Sequence, residues 1–338
     1  MKHPMPSDHS TLHVPAQEIP APKSISPQGQ AFLVAAARRI AATSASGTVV
    51  SAGLSDQVTK GAAAAVEFLR PLAVGFKGST QRVALPSGAI LHRVTPDERD
   101  GRLAEVAYVD IHGGGFVSGG GDMCQLLAQI RAKDYGVEIF SVDYRLLPEH
   151  PYPAALDDCV AAYREVLKNY APSALVVGGS SAGGNLAAAL MLRARDEGLP
   201  LPAGLLLLTP GVDLTLSGDS HLTNRFLDVN LYGGAAYVSS YAGTASVDDP
   251  YVSPLFGDFA KGWPPTLLAT GTRDLLLSDT VRLHRALRHA GKAADLHVTE
   301  AAPHGGFMGT GAPEDTQIQA ECRRFVYSAW GVTDRKPP

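Results

Sequence analysis

The stretch Gly178-Gly179-Ser180-Ser181-Ala182-Gly183-Gly184-Asn185 constrains this chain more than any other. An apolar run, Ala174-Leu175-Val176-Val177, leads into it, and Leu186-Ala187-Ala188-Ala189-Leu190-Met191 leads out. The first run reads as a buried strand and the second as a helix. A serine at the centre of G-x-S-x-G in a strand–turn–helix context sits on a sharp bend, with its hydroxyl exposed at the top of a sheet. Its backbone is held in a sparsely populated conformation. Gly179 and Gly183 flank it because a Cβ at either place would crowd the turn. Ser181 is therefore the candidate nucleophile. The pattern alone is a modest signal, because a chain with 35 glycines also produces glycine-rich loops without chemistry. What decides is whether an oxyanion hole, a base and an acid accompany it.

Residues Val106–Ile111 read as a strand that runs into His112-Gly113-Gly114-Gly115-Phe116. Glycines let backbone N–H groups point into a pocket, and each donor aimed at a tetrahedral oxyanion contributes about 3–4 kcal/mol to the transition state. Gly113, Gly114 and Gly115 form the candidate oxyanion hole, together with the N–H of Ala182, the residue after the nucleophile. His112 is expected to tie this loop down rather than act as a base. Gly119-Gly120-Gly121 is expected to be the flexible piece.

Thr266–Thr270 has a buried-strand pattern, and Gly271-Thr272-Arg273-Asp274 follows at its carboxyl end. Asp295–Thr299 is the next strand, with Ala302-Pro303-His304-Gly305-Gly306-Phe307 after it. Carboxyl ends of strands are where an open parallel sheet places its site. Ser181, Asp274 and His304 then occur in the chain order of α/β hydrolases. In that reading His304 takes the serine proton, and Asp274 fixes the tautomer of the ring and stabilises its cation. Asp279 competes for the role of acid. Its position just inside a helix, after a candidate N-cap at Ser278, favours an interaction with the helix dipole instead.

Together, HGGGF, Asp143-Tyr144-Arg145-Leu146-Leu147-Pro148-Glu149, Tyr152-Pro153-Ala154-Ala155-Leu156-Asp157-Asp158 and GSSAGGN resemble the hormone-sensitive-lipase-like esterases, bacterial family IV of the α/β-hydrolase superfamily. The resemblance covers roughly residues 75 to 330. It implies a carboxylic ester hydrolase with a cap that builds the acyl or alcohol pocket, and with Arg145, Glu149, Asp157 and Asp158 bracing the active-site loops. For Asp157 and Asp158 a solvated loop and helix start is an equal alternative. One position departs from the family pattern: Ser180 stands where an acidic residue or a threonine usually precedes the nucleophile.

The remaining sequence organises itself around this frame. Strand candidates at 81–85, 89–94, 105–111, 137–142, 174–178, 204–208, 266–270 and 295–299 alternate with helix candidates at 122–135, 154–170, 183–197, 279–291 and 313–329. Such alternation predicts a mostly parallel eight-stranded sheet with helices on both faces. Residues 1–24 read as an extended or disordered arm, residues 25–72 as N-terminal cap helices (candidates at 27–44 and 54–70), and residues 73–338 as the catalytic domain. An insertion at about 211–260, rich in leucine and aromatic residues, reads as the second part of the cap. A net charge of −4 gives no electrostatic case for nucleic acid or an anionic membrane. No stretch reads as a membrane span. Cys124, Cys159 and Cys322 are isolated and odd in number, which favours a reducing, cytoplasmic location over a disulfide framework. No His/Cys cluster has metal-ligand spacing, and neither metal nor cofactor is expected. The last strand would lie at a sheet edge, and such edges are often paired, which suggests a homodimer. The substrate expected is a short-to-medium acyl ester. A lactone, carbamate or amide suits the same machinery, and a binding protein on this fold is a further alternative.

Overall fold

The computed structural model describes Val14 and residues 16–45, 54–234 and 240–334. Most of the expected arm, Val49 and Val50, and residues 235–239 of the insertion lie outside the described residues. Eight strands form one sheet: β1 (Gly78–Ala84), β2 (Ile90–Pro96), β3 (Ala107–Ile111), β4 (Glu138–Asp143), β5 (Leu175–Ser180), β6 (Gly204–Leu208), β7 (Thr266–Gly271) and β8 (Ala294–Thr299). Their order is β1-β2-β4-β3-β5-β6-β7-β8. Only the pairs β1–β2 and β2–β4 are antiparallel, and every other pair is parallel.

The central strands are nearly continuous apolar runs, as strands covered on both faces must be. Every residue of β3 and of β7 is buried. Because side chains alternate across a strand, neighbours in sequence enter opposite cores. Val109, Val177, Leu205, Leu207 and Leu268 join one cluster. Tyr108, Val176, Leu206, Leu267 and Ala269 join the other. Helices α4 (Ala154–Val166), α5 (Ala182–Asp196) and α7 (Leu277–His289) cover the first face, and the one-turn helix α6 (Ser220–Thr223) lies in the insertion between β6 and β7. On the second lie α3 (Asp122–Tyr135) and α8 (Pro313–Ala329), the latter opening with proline in its first turn.

Two helices precede the sheet, α1 (Pro27–Ala45) and α2 (Leu54–Ala73). Buried Ile25 and Leu33 pack with Ala301, Ala302, Phe307 and Ala312, the loop that follows β8. Phe32 meets Phe307 edge to face at 6.0 Å. Ser26 donates to Glu314 through both its backbone N–H (2.6 Å) and its hydroxyl (2.7 Å). The N-terminal segment is thus clamped onto the loop that carries His304. Lys133 Nζ of α3 donates to the carbonyl of Leu72 at 2.7 Å, which ties the end of α2 to the opposite face.

Three sequence expectations are corrected. Helix α4 ends at Val166, short of residue 170. Helix α7 starts at Leu277, so Ser278 lies in its first turn and is not its N-cap. Gly119 and Gly120 are packed, not loose: a Cβ on Gly119 would lie 2.3 Å from both Gly113 O and His112 Nδ1, and one on Gly120 would lie 2.7 Å from Asp143 Oδ1, whereas Gly121 has open space around it.

Candidate active site

Strand β5 delivers Ser181 at its carboxyl end with φ 56° and ψ −120°. This left-handed backbone is costly for any residue with a Cβ, and it persists only where its surroundings hold it. They do: Ser181 N–H donates to Leu208 O at 2.9 Å, and Gly211 N–H donates to Ser181 O at 3.2 Å. The bend also brings chain onto chain. A Cβ on Gly179 would lie 2.1 Å from Gly183 O, and one on Gly183 would lie 2.0 Å from Ile111 O. Only glycine fits at either place.

Beside the serine, the loop after β3 turns through Gly114 (φ 120°), Gly115 (φ 62°) and Phe116 (φ 65°). Among the described residues, the N–H groups of Gly114, Gly115 and Ala182 have no backbone acceptor. Gly113 is set against the elbow, its Cβ position 3.3 Å from Ser181 Cβ. His112 anchors the loop: Nδ1 lies 2.8 Å from Gly113 O, and the ring stacks on Tyr144 with centroids 4.1 Å apart. Tyr144 Oη donates to His112 O at 2.9 Å. Burial lowers the His112 pKa, which keeps the ring neutral. Arg145 grips fully buried Asp158 with Nε and Nη2, at 3.0 and 2.9 Å, which fixes the loop behind the site. Asp158 thus takes the bracing role, whereas Glu149 is exposed.

The carboxyl ends of β7 and β8 supply the other half. His304 Nδ1 lies 3.0 Å from Asp274 Oδ1. Asp274 is fully buried and also accepts from Thr270 Oγ1 at 2.7 Å and from Leu276 N–H at 2.9 Å. Burial disfavours the His304 cation, but the Asp274 carboxylate and its hydrogen bond outweigh that, and Asp228 adds to them. The His304 pKa therefore stands above the ordinary histidine value. No hydrogen bond joins Ser181 Oγ to His304 among the described residues. Catalytic hydrogen bonds of this kind often tighten only when substrate is bound.

Three side chains that the sequence reading did not single out complete this corner. Asp228, fully buried, accepts from Leu275 N–H at 2.8 Å, from Asn230 and Leu231 N–H at 3.0 and 3.1 Å, and from His304 N–H at 3.3 Å. Burial raises its pKa, and so does the neighbouring Asp274. Asn230 Nδ2 donates to His304 O at 2.7 Å. Asn224 Nδ2 donates to Asp274 O at 2.8 Å. In the sequence, Asp228-Val229-Asn230 signals only a local turn.

Asp228, Asp274 and His304 could each offer a metal one ligand atom, all within 4.8 Å of one another. Those atoms are already engaged in the hydrogen bonds above. His112, Cys124 and Asp143 form a similar group behind the oxyanion loop, where His112 Nε2 is buried without a partner.

Asp279 does not merely face a helix dipole. It is fully buried, and its Oδ1 lies 2.9 Å from His221 Nε2. Its Oδ2 accepts from Asp213 N–H at 3.0 Å, and burial raises its pKa. Both residues of this pair line a cavity that opens beside Ser181, with Gly115, Ala182, Leu214 and Leu231 among the other walls. The cavity is narrow, with about 30 Å³ of room for water-sized groups.

A serine on a strained strand–helix bend, a glycine loop beside it and a His–Asp pair at the carboxyl ends of one parallel sheet define the α/β-hydrolase class. Residues 108–308 match the family described as the alpha/beta hydrolase fold. The chain is 33% identical to an esterase, E25, whose crystal structure superposes with a TM-score of 0.80 over 96% of this chain and 100% of that one. It is 29% identical to an esterase from the bacterial hormone-sensitive lipase family, with a TM-score of 0.76 over 90% of this chain and 99% of that one. Among curated relatives, the esterase LipI of Mycobacterium tuberculosis is 34% identical over 66% of this chain and 73% of its own length. An esterase of Acinetobacter venetianus is 37% identical over 53% of this chain. The chain spans 60% of the length of that esterase. The protein belongs to the hormone-sensitive-lipase-like family of the α/β-hydrolase superfamily.

Proposed function

We propose that this chain is a carboxylesterase acting on short-to-medium acyl esters through Ser181, His304 and Asp274. Ser181 Oγ attacks the ester carbonyl while His304 Nε2 takes its proton. Asp274 holds Nδ1–H and balances the charge of the imidazolium. The N–H groups of Gly114, Gly115 and Ala182 receive the oxyanion, with Gly113 shaping the loop. His304 then protonates the departing alcohol, and water activated by the same ring hydrolyses the acyl-enzyme. The observation that carries this reading is Ser181 at φ 56° on the elbow, next to three backbone donors without backbone acceptors.

Residues 25–72 and the 211–260 insertion are assigned to the cap. Support comes from Leu214, Leu216, His221 and Leu231, which line the cavity beside Ser181, and from the α1 contacts to the His304 loop. A cytoplasmic location fits three buried free cysteines. Among the described residues, no helix is long and apolar enough to cross a membrane. Val298, 45% exposed on edge strand β8, supports a homodimer formed along that edge. Light scattering checks this, and a strict monomer at micromolar concentration would count against it.

The deciding experiment is p-nitrophenyl ester hydrolysis across acyl lengths, with Ser181→Ala as control. The variant should fold normally and lose turnover by roughly a factor of 10⁵–10⁶. A near-native rate in an uncontaminated preparation would exclude Ser181 as nucleophile.

A further inference from the structure

A cavity beside a nucleophile is expected to be mainly apolar, with a few placed polar groups that orient the ligand. Here Leu214, Leu216, Leu231 and Leu276 supply the apolar walls. The second His–Asp pair breaks them. His221 has a side chain only 7% exposed, and Asp279 is 1% exposed. A polar pair at this depth costs free energy unless it is satisfied. The Asp279 oxygens are satisfied, by His221 Nε2 and by Asp213 N–H. Asp213, the other carboxylate at this wall, is consumed by Thr215, Ser217 and Arg282. His221 Nδ1 is different. It makes no hydrogen bond to a described residue, and His221 lines the cavity beside Ser181.

The ring is also held rigidly. Ser220, the residue before it, exchanges two hydrogen bonds with Ser278, each 2.9 Å, and its hydroxyl donates to Leu275 O at 2.7 Å. The Cδ2 edge of His221 faces Gly218, whose Cβ position lies 3.4 Å away. A fixed imidazole with one nitrogen committed to a carboxylate and the other unspent is an orienting group.

The geometry points to His221 as a specificity residue that binds a hydroxyl group of the substrate, so that the preferred esters are hydroxylated ones. With Nε2–H directed at Asp279, a neutral ring presents Nδ1 as an acceptor, and a protonated ring presents it as a donor. A hydroxyl satisfies either state, because it donates and accepts. An alkyl chain satisfies neither and leaves Nδ1 desolvated. Sites that hydrogen-bond a substrate hydroxyl discriminate against analogues lacking it, because the buried partner is then left unpaired. This inference rests on the esterase reading above. Asp279 acts through His221 and is a positioning residue.

The test compares matched pairs with the full chain. One arm places the hydroxyl in the acyl part: p-nitrophenyl 3-hydroxybutyrate against p-nitrophenyl butyrate. The other places it in the alcohol: 2-hydroxyethyl butyrate against propyl butyrate. In one arm the wild type should favour the hydroxylated member by about tenfold in kcat/KM, the effect of one such hydrogen bond. That ratio should fall toward one in His221→Phe, which keeps a ring, and should shrink in Asp279→Asn. A wild-type ratio near one in both arms overturns the inference even if neither variant folds. So does an unchanged ratio in a folded His221→Phe protein. Loss of all Ser181-dependent hydrolysis of p-nitrophenyl butyrate would instead sink the esterase reading.

Discussion

Two His–Asp pairs sit five residues apart on the acid side, yet their surroundings differ. Asp274 lies on the turn after β7 and meets His304 with two further donors on its carboxylate. Asp279 lies in the first turn of α7 and meets His221 in the wall of the cavity beside Ser181. Both acids are fully buried. What separates them is the partner ring. His304 is flanked by a second carboxylate, Asp228, which favours its cation. His221 lines the cavity wall with an unspent nitrogen. A His–Asp contact is thus not in itself a catalytic signature. On the proposed reading, the charges around the ring and the strand end that carries it divide proton transfer from recognition.

The largest test of that division exchanges one acid at a time. Asp274→Asn should lower kcat/KM for p-nitrophenyl butyrate by roughly 10³–10⁴, because the His304 tautomer is no longer held. Asp279→Asn should cost far less on the same plain ester. If Asp279→Asn proves the more damaging of two equally stable variants, the roles of the two pairs must be reversed.

The pH profile sharpens the comparison. With His304 as the proposed base, activity needs the neutral ring and should fall as pH drops through a pKa held above the ordinary value of about 6.5. Asp228→Asn removes a charge that favours the cation. The acid limb of kcat/KM should then move to lower pH, with a loss of about tenfold at the plateau from weaker anchoring of the His304 and Leu275 backbone. A limb that stays in place, in a folded variant, would mean that Asp228 acts on the backbone alone.

Much of this site is legible in the sequence, for a specific reason. At the elbow, Gly179 and Gly183 allow backbones to approach where no Cβ fits, and that requirement shows as glycine. Asp274 and His304 follow apolar strands, and the ends of strands can be read from their periodicity. The strand candidates accordingly agree with β1–β8 to within a few residues. Asp228 and His221 belong to an irregular segment with neither period nor motif. His221 meets its acid 58 residues away in sequence, and only the folded chain brings the two together. At Asp279 a first-turn carboxylate has a local explanation in the sequence that hides its tertiary partner, His221.

A smaller effect is expected at Ser180, the position where this chain departs from the family pattern. It ends β5 directly behind the nucleophile, pairs with Leu208 of β6, and belongs to neither His–Asp pair. Ser180→Asp should retain activity within about tenfold, since an exposed or half-buried charge of this kind alters stability and rate modestly. An inactive but well-folded variant would show that the neighbourhood behind Ser181 has been rebuilt around serine.

The smallest expected effect comes from outside the sheet. Phe32 of α1 packs edge to face on buried Phe307, in the loop that carries His304. The His221 pair has its own clamp, the reciprocal Ser220–Ser278 hydrogen bonds and the bond to Leu275 O. Phe32→Ala therefore loosens one pair and spares the other. Truncating a half-buried aromatic should cost about 1–3 kcal/mol of stability, below the range for a fully buried one. Turnover of p-nitrophenyl butyrate should fall by about two- to fivefold, because a His304 loop that moves spends less time in the reactive geometry. The ratio between hydroxylated and plain esters should stay where it is in the wild type. Steady-state kinetics on the matched ester pairs, beside thermal unfolding, reads both quantities from one protein. A changed ratio with unchanged turnover would mean that α1 supports the cavity wall rather than the base, and that the two pairs are coupled through the N-terminal helices.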